Sequence, residues 1–155
     1  MEAVLDALVA SAPAQWLRFS RWGYAAGNTT HVLGIALLVG AILPLDLRLI
    51  GLWRSAPLEP LARVLVPVAA TGLLLAITTG AFLFITRATE YAAIDLFLVK
   101  LALIATGAIH ALNLHLGSGL QNASRARLRA AGAASLSIWV TALVCGRLLA
   151  FVDEQ

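Results

Sequence analysis

Three side chains that could carry chemistry lie inside apolar stretches of this sequence, namely His31, Lys100 and Arg147. Each falls about five or six residues from one end of its stretch, which at a helical rise of ~1.5 Å per residue predicts a depth of ~8 Å below one membrane boundary. Ionisable groups within a bilayer are costly, so each is a candidate functional residue. An imidazole can ligate haem iron, and cations can pair with the anionic propionates of a haem.

This combination of one imidazole and two cations predicts a b-type haem site. His31 is the candidate axial ligand of the iron, and Arg147 is a candidate partner for a propionate. Lys100 has two roles open to it, because its cation could hold a propionate and its neutral amine could be the second axial ligand. Gly27 and Gly34 share a helical face with His31, and we expect them to leave room for the flat macrocycle.

Each of these residues also has a simpler interpretation. A histidine near the end of a membrane helix can be a hydrogen-bonded interface residue. Lysine and arginine can extend their charged groups to the headgroups while the alkyl stems stay in the apolar region.

A second group of polar residues follows near the opposite boundary. His110 and Asn113 share a helical face, whereas His115 points away from His110. A second metal or quinone site is open here, with His110 as a weaker candidate metal ligand. The alternative is structural, with Asp46 and Arg48 paired with each other or with lipid headgroups.

The composition indicates the medium in which these residues lie. The 155 residues are 61% hydrophobic and 12% charged, with a mean hydropathy of +0.89, whereas soluble domains average ~45–50% apolar and ~25% charged residues. This excess indicates an integral membrane protein and excludes a disordered chain, an ordinary nucleic-acid-binding domain and a secreted disulfide scaffold. With Cys145 as the sole cysteine and Met1 as the sole methionine, the chain lacks the soft ligands of a copper relay.

The charged residues divide the chain into four stretches that are long enough to span a bilayer. They predict an all-α fold, an antiparallel four-helix transmembrane bundle forming one domain over residues 1–155. Apolar residues at helical spacing over 3–10 predict a short interfacial helix, and Trp16, Trp22 and Tyr24 are expected to mark a membrane boundary. The predicted spans are approximately 25–44, 64–86, 95–117 and 130–152.

Arginines in the connecting segments predict the orientation. The segments after the first and third spans hold six arginines, whereas the opposite side holds three. Because positively charged loops stay in the cytoplasm, both termini are expected outside.

Two segments of the sequence resemble known membrane proteins. The first is HVLGIALLVGAILPLDLRLIGL, and the second comprises TGAFLF and YAAIDLFLVKLALIATGAIHALNLH. From about Trp16 to Phe151, the chain resembles a family of small four-span bacterial membrane proteins of unknown function. It is more distantly similar to the bacterial membrane-bound protoporphyrinogen oxidases and to the copper resistance protein D family.

The oxidase resemblance implies haem-site roles for His31 and Lys100, and a match of His110 to a further histidine. The resemblance also implies the bacterial cytoplasmic (inner) membrane. The characteristic arginine-containing and terminal acidic motifs of the oxidases are missing, so porphyrin oxidation is not implied.

Three functions therefore remain open. The first is a haem-b-binding membrane protein that exchanges electrons with a quinone or a partner subunit. The second is copper or small-ion transport or resistance, and the third is a cofactor-free structural membrane subunit. The expected surroundings are the lipid bilayer and a quinone or redox partner protein, without nucleic acid; enzymatic activity and homo-oligomerisation are left open.

Overall fold

The computed structural model describes residues 2–116 and 123–152, without the side chains of His115 and Leu116. The prediction for His115 therefore lies outside the described side chains. The described ranges contain helices and no strand. The helices are α1 (Glu2–Val9), α2 (Ala12–Phe19), α3 (Arg21–Ile50), α4 (Leu58–Ile85), α5 (Ala88–Ala92), α6 (Asp95–Leu116) and α7 (Arg125–Val152).

Four of these helices, α3, α4, α6 and α7, are long and apolar enough to cross a membrane. They coincide with the four predicted spans, so the all-α prediction and the membrane assignment are supported. Large apolar side chains on them face outward, and Val64 and Leu74 are 63% and 66% exposed. Such surfaces suit hydrocarbon, which is as apolar as the side chains themselves.

The first predicted span ends near Pro44, and the helix that contains it, α3, continues to Ile50. Leu49, in the extension, is only 5% exposed, so packing favours continuing the helix beyond the proline. The helix stops at Gly51, whose φ of 123° lies in the left-handed region. The amide of Leu52 then donates to the carbonyl of Leu47 at 3.0 Å, which is the glycine-dependent C-terminal cap of a helix.

The N-terminal segment contains one more helix than the sequence predicted. The expected helix over residues 3–10 is α1, and α2 follows it after Ser11. Pro13 lies in the first turn of α2, where its fixed φ favours the helix and its missing N–H costs nothing. Ala14 and Leu17 of α2 are 1% and 8% exposed, so α2 is anchored by burial of one face.

The chain forms two compact units. The first unit comprises Met1–Leu38 and Ala70–Asp95, and the second comprises Val39–Ala69 and Leu96–Gln155. The boundaries between them cross α3 and α4.

In the first unit, α3 and α4 touch through their backbones. A Cβ added at Gly34 would lie 2.7 Å from the amide nitrogen of Ala76, and one at Gly72 would lie 2.5 Å from that of Leu38. Backbone atoms cannot move away as a flexible side chain can, so only glycine fits at these two positions. Small residues allow this close approach of helices in membranes.

In the second unit, buried residues recur along α7 mostly three or four positions apart, so they lie on one face of the helix. Its buried residues are Gly132, Trp139, Ala142, Cys145 and Leu149. A Cβ added at Gly132 would lie 2.7 Å from the Cβ of Leu49 on α3. A Cβ added at Gly107 of α6 would lie 2.8 Å from the ring of Trp139 on α7. One helical face of α7 thus packs against both α3 and α6.

Candidate functional site

His31 projects from α3 towards α4 within the first unit. Its Nδ1 lies 2.9 Å from the carbonyl oxygen of Ala76 and 3.2 Å from Oγ1 of Thr79. The imidazole also lies against Gly80, where an added Cβ would come within 2.9 Å of the ring Cε1. The side chain is half-buried, and contacts with one helix fix the direction of its ring.

These contacts also determine which nitrogen of His31 carries the proton. The Ala76 carbonyl can only accept a hydrogen bond. The Thr79 hydroxyl donates its single proton to the carbonyl of Leu75 at 2.6 Å, so it accepts from His31. Nδ1 is therefore the N–H donor, and Nε2 of the neutral ring carries the lone pair, which is the arrangement typical of metal-bound histidines.

Of the two glycines beside His31, Gly34 has a different role from the predicted one, and the prediction for Gly27 stays a prediction. The open side of Gly34 is filled by the α4 backbone, so the expectation that it leaves room for a macrocycle is wrong. At Gly27, an added Cβ would meet the side chains of Leu83 and Leu17 at 3.8 and 3.9 Å, which is ordinary packing. The close approach of α3 and α4, rather than space for a ligand, explains Gly34.

Lys100 lies on α6 in the second unit and is half-buried. Its Nζ is 4.9 Å from the ring centroid of Phe97, a distance at which a cation is attracted to the aromatic face. Its Cδ lies 3.6 Å from the position of a Cβ added at Gly146 of α7. The alkyl stem of Lys100 therefore packs along α7, and the ammonium group has an aromatic neighbour on its own helix.

Arg147 follows Gly146 on α7 and is exposed. Its guanidinium carbon lies 4.9 Å from the ring centroid of Phe151, one turn further along the helix. This position suits an arginine that extends towards headgroups. Lys100 of α6 thus lies beside Gly146, the residue before Arg147 on α7. His31 belongs to the first unit, so the predicted common level of all three residues stays a prediction.

His110 and Asn113 line one cavity of about 340 Å³ in the second unit, as expected for residues on one helical face. The remaining lining residues are Leu114, Arg127, Ala130 and Ala131. The ring nitrogen Nε2 of His110 donates to the carbonyl of Ala131 at 3.1 Å. In its neutral form, His110 therefore carries the lone pair on Nδ1, opposite to the tautomer of His31.

The expected pairing of Asp46 with Arg48 is wrong, and Asp46 is too buried to meet headgroups. Arg48 donates instead from Nε to the carbonyl of Ala56 at 2.7 Å and from a terminal nitrogen to that of Arg54 at 3.3 Å. Two residues turn an α-helix by ~200°, so residues two positions apart, such as Asp46 and Arg48, face opposite sides of the helix. Arg48 therefore stabilises the α3–α4 connection, while Asp46 points into the second unit.

Asp46 is 3% exposed and is hydrogen-bonded to Ser135 of α7. In the described part of the chain, its Oδ2 has no hydrogen-bond partner. This pair was missed in the sequence, although an acidic residue in an apolar stretch together with a serine in another span was a usable signal.

Among the described residues, no three His, Cys, Asp or Glu side chains lie close enough together to hold a metal ion. A haem iron takes only one or two ligands from the protein, so the haem prediction does not depend on such a group. Comparisons with protein-family models, curated proteins and solved structures found no match to the chain.

Proposed function

We propose that this chain is a haem-b-binding membrane protein in which Nε2 of His31 is an axial ligand of the iron. The observation that carries the proposal is the double hydrogen bond from Nδ1–H of His31 to Ala76 and Thr79. A metal-ligating histidine almost always donates its other N–H in this way, which fixes the tautomer and the orientation of the ring.

The donor chemistry of His31 fits a haem iron, which takes a neutral imidazole nitrogen as ligand. When bound, haem b supplies a one-electron carrier, for exchange with a quinone or a partner subunit. Ala76 and Thr79 hold the imidazole, and its contact with Gly80 limits its rotation. Gly34 is not part of the proposed pocket, because the α4 backbone occupies its open side.

Lys100 and Arg147 lie in the second unit, whereas His31 lies in the first. The roles of the two cations as propionate partners, and that of Lys100 as a second iron ligand, therefore stay predictions from the sequence.

The proposal includes an architecture and a location. The four apolar helices form an antiparallel transmembrane bundle in a bacterial cytoplasmic membrane, with both termini outside. The support is the length and composition of the helices and the excess of arginine in the segments after the first and third spans.

The visible spectrum of the purified protein tests haem binding. Wild-type protein in detergent, titrated with haem, is expected to give a Soret band that sharpens and shifts on reduction. His31→Ala is expected to lose it, because the iron loses its ligand. The matched control is His110→Ala, which removes another half-buried helix histidine and should keep the band.

A wild-type protein without a Soret band after haem addition would end the proposal, as would equal spectra of His31→Ala and wild type. Lys100→Arg separates the two roles of the lysine. Arginine keeps the cation but cannot ligate iron, so an unchanged spectrum would exclude Lys100 as an iron ligand.

A cofactor-free structural subunit is the second candidate, and the contact of Gly34 and Gly72 with backbone atoms favours it. In that case the hydrogen bonds of His31 serve only to fix α3 against α4. His31→Ala would then lower the resistance to unfolding in detergent without any spectral effect.

A further inference from the structure

The second unit contains a buried acidic side chain that no step of the haem proposal uses. Asp46 lies on α3, four residues from its end at Ile50, which corresponds to ~6 Å of helix. Only 3% of its surface is exposed. Its neighbour across the helix contact is α7, where an added Cβ on Gly132 would lie 2.9 Å from the Asp46 backbone oxygen.

Arg48 and Arg129 lie on the helices that carry and contact Asp46, and in the described residues neither forms an ion pair with it. On α3, Arg48 bonds the carbonyls of the α3–α4 connection. On α7, the Nε of Arg129 lies 3.7 Å from the Cβ position of Gly51, beyond the end of α3. Between residues 2–116 and 123–152, no cation forms an ion pair with Asp46.

Among the described residues, the polar partner of the Asp46 side chain is a hydroxyl, which can serve two protonation states. Ser135 donates its proton to one carboxyl oxygen of Asp46, and it can keep this bond in both protonation states, because the carbonyl oxygen of a neutral carboxylic acid is still an acceptor. A lysine or arginine in the same place would stabilise only the carboxylate. An unpartnered Oδ2 leaves one oxygen where a proton can be added without breaking an existing bond.

We propose that Asp46 is a proton-binding site in the membrane part of this protein, with Ser135 as its positioning residue. Uptake forms one O–H bond, from the carboxylate and a proton delivered by water at the Ile50 end of α3. Release returns the proton to water and leaves the carboxylate bonded to the Ser135 hydroxyl. The inference does not depend on haem binding.

Labelling with a hydrophobic carbodiimide tests this site, because the reagent reacts with protonated carboxyls in apolar surroundings. Full-length wild-type protein in lipid vesicles is expected to give one adduct, which peptide mapping places at Asp46 and which disappears as the pH rises. Asp46→Asn should not be labelled there. Glu59→Gln, which removes an exposed, ion-paired carboxylate, should be labelled like wild type.

A second pair of variants distinguishes positioning by Ser135 from general packing. Ser135→Ala is expected to move the pH midpoint of Asp46 labelling, because the hydroxyl no longer bonds the carboxyl. Ser137→Ala is the control, since its hydroxyl bonds the carbonyl of Ala133 on its own helix, and it should leave the midpoint unchanged.

Three outcomes would overturn the proposal. The first is no adduct on Asp46 in wild type at any pH at which the protein stays folded. The second is an adduct yield independent of pH. The third is protection by sodium at constant pH, which would make Asp46 a metal-cation site instead. The wild-type measurements need no variant, so they decide the matter even if Asp46→Asn fails to fold.

Discussion

At His31, two acceptors on the following helix decide which ring nitrogen carries the proton. One is a carbonyl, at 2.9 Å, and the other is a hydroxyl whose own proton is already donated to Leu75. That this histidine lies on a helix long and apolar enough to cross a membrane was predictable from its place in an apolar stretch. Its tautomer was not, because Ala76 and Thr79 lie 45 and 48 residues away in the chain.

Removing the Thr79 hydroxyl tests the role of this residue-scale arrangement. Thr79→Val takes away the weaker of the two acceptors, and we expect about tenfold weaker haem binding, as for other partners of ligating histidines. The measurement is a haem titration followed by absorbance. Thr78→Val is the control, because the Thr78 hydroxyl bonds only to carbonyls of its own helix; equal affinities of the two variants would contradict the role of Thr79.

At the scale of helices, glycines set how closely neighbours approach. The spans themselves were predictable from composition, since runs of apolar residues between charges suffice. The ends of the helices were less predictable, because the burial of Leu49 and the cap at Gly51 extend α3 beyond the predicted first span. Helix α2 was missed because its signal, Ser11 followed by Pro13, is short and its burial depends on distant residues.

A pair of glycine substitutions on α3 tests the backbone contact. Gly34→Ala places a methyl group against the α4 backbone, and we expect a loss of about 1–3 kcal/mol in the free energy of unfolding, the usual cost of overpacking. Gly40→Ala meets nothing within 4 Å and should be neutral or stabilising, since alanine favours helix more than glycine does.

Unfolding in mixed micelles, followed by circular dichroism, measures both glycine variants. Equal stabilities of Gly34→Ala and Gly40→Ala would show that the α3–α4 contact is looser than described.

At the scale of the whole molecule, composition decides the class and the placement of arginine predicts the orientation. Charge is so scarce, at 12% of residues, that each charged group stands out. The partners of the buried charged groups could not be predicted from the sequence, because they depend on the rotation of each helix about its axis. A rotation by one residue would turn Asp46 away from Ser135.

Cysteine labelling tests the orientation in intact cells. In a Cys145→Ala background, Thr89→Cys lies in α5 between the second and third spans, and Ser55→Cys lies in the α3–α4 connection; both positions are exposed. A membrane-impermeant maleimide is expected to label Thr89→Cys in intact cells and Ser55→Cys only after permeabilisation. The reverse pattern would place the termini inside.

The contact of Gly34 with Gly72 also has a consequence for biosynthesis. Its two partners are consecutive helices joined by a short connection, so the contact is complete in the chain once α4 has been made. At about 5–20 residues per second, synthesis of the remaining helices takes several seconds more. The α3–α4 pair can therefore assemble beside the ribosome as a helical hairpin before α7 has been made.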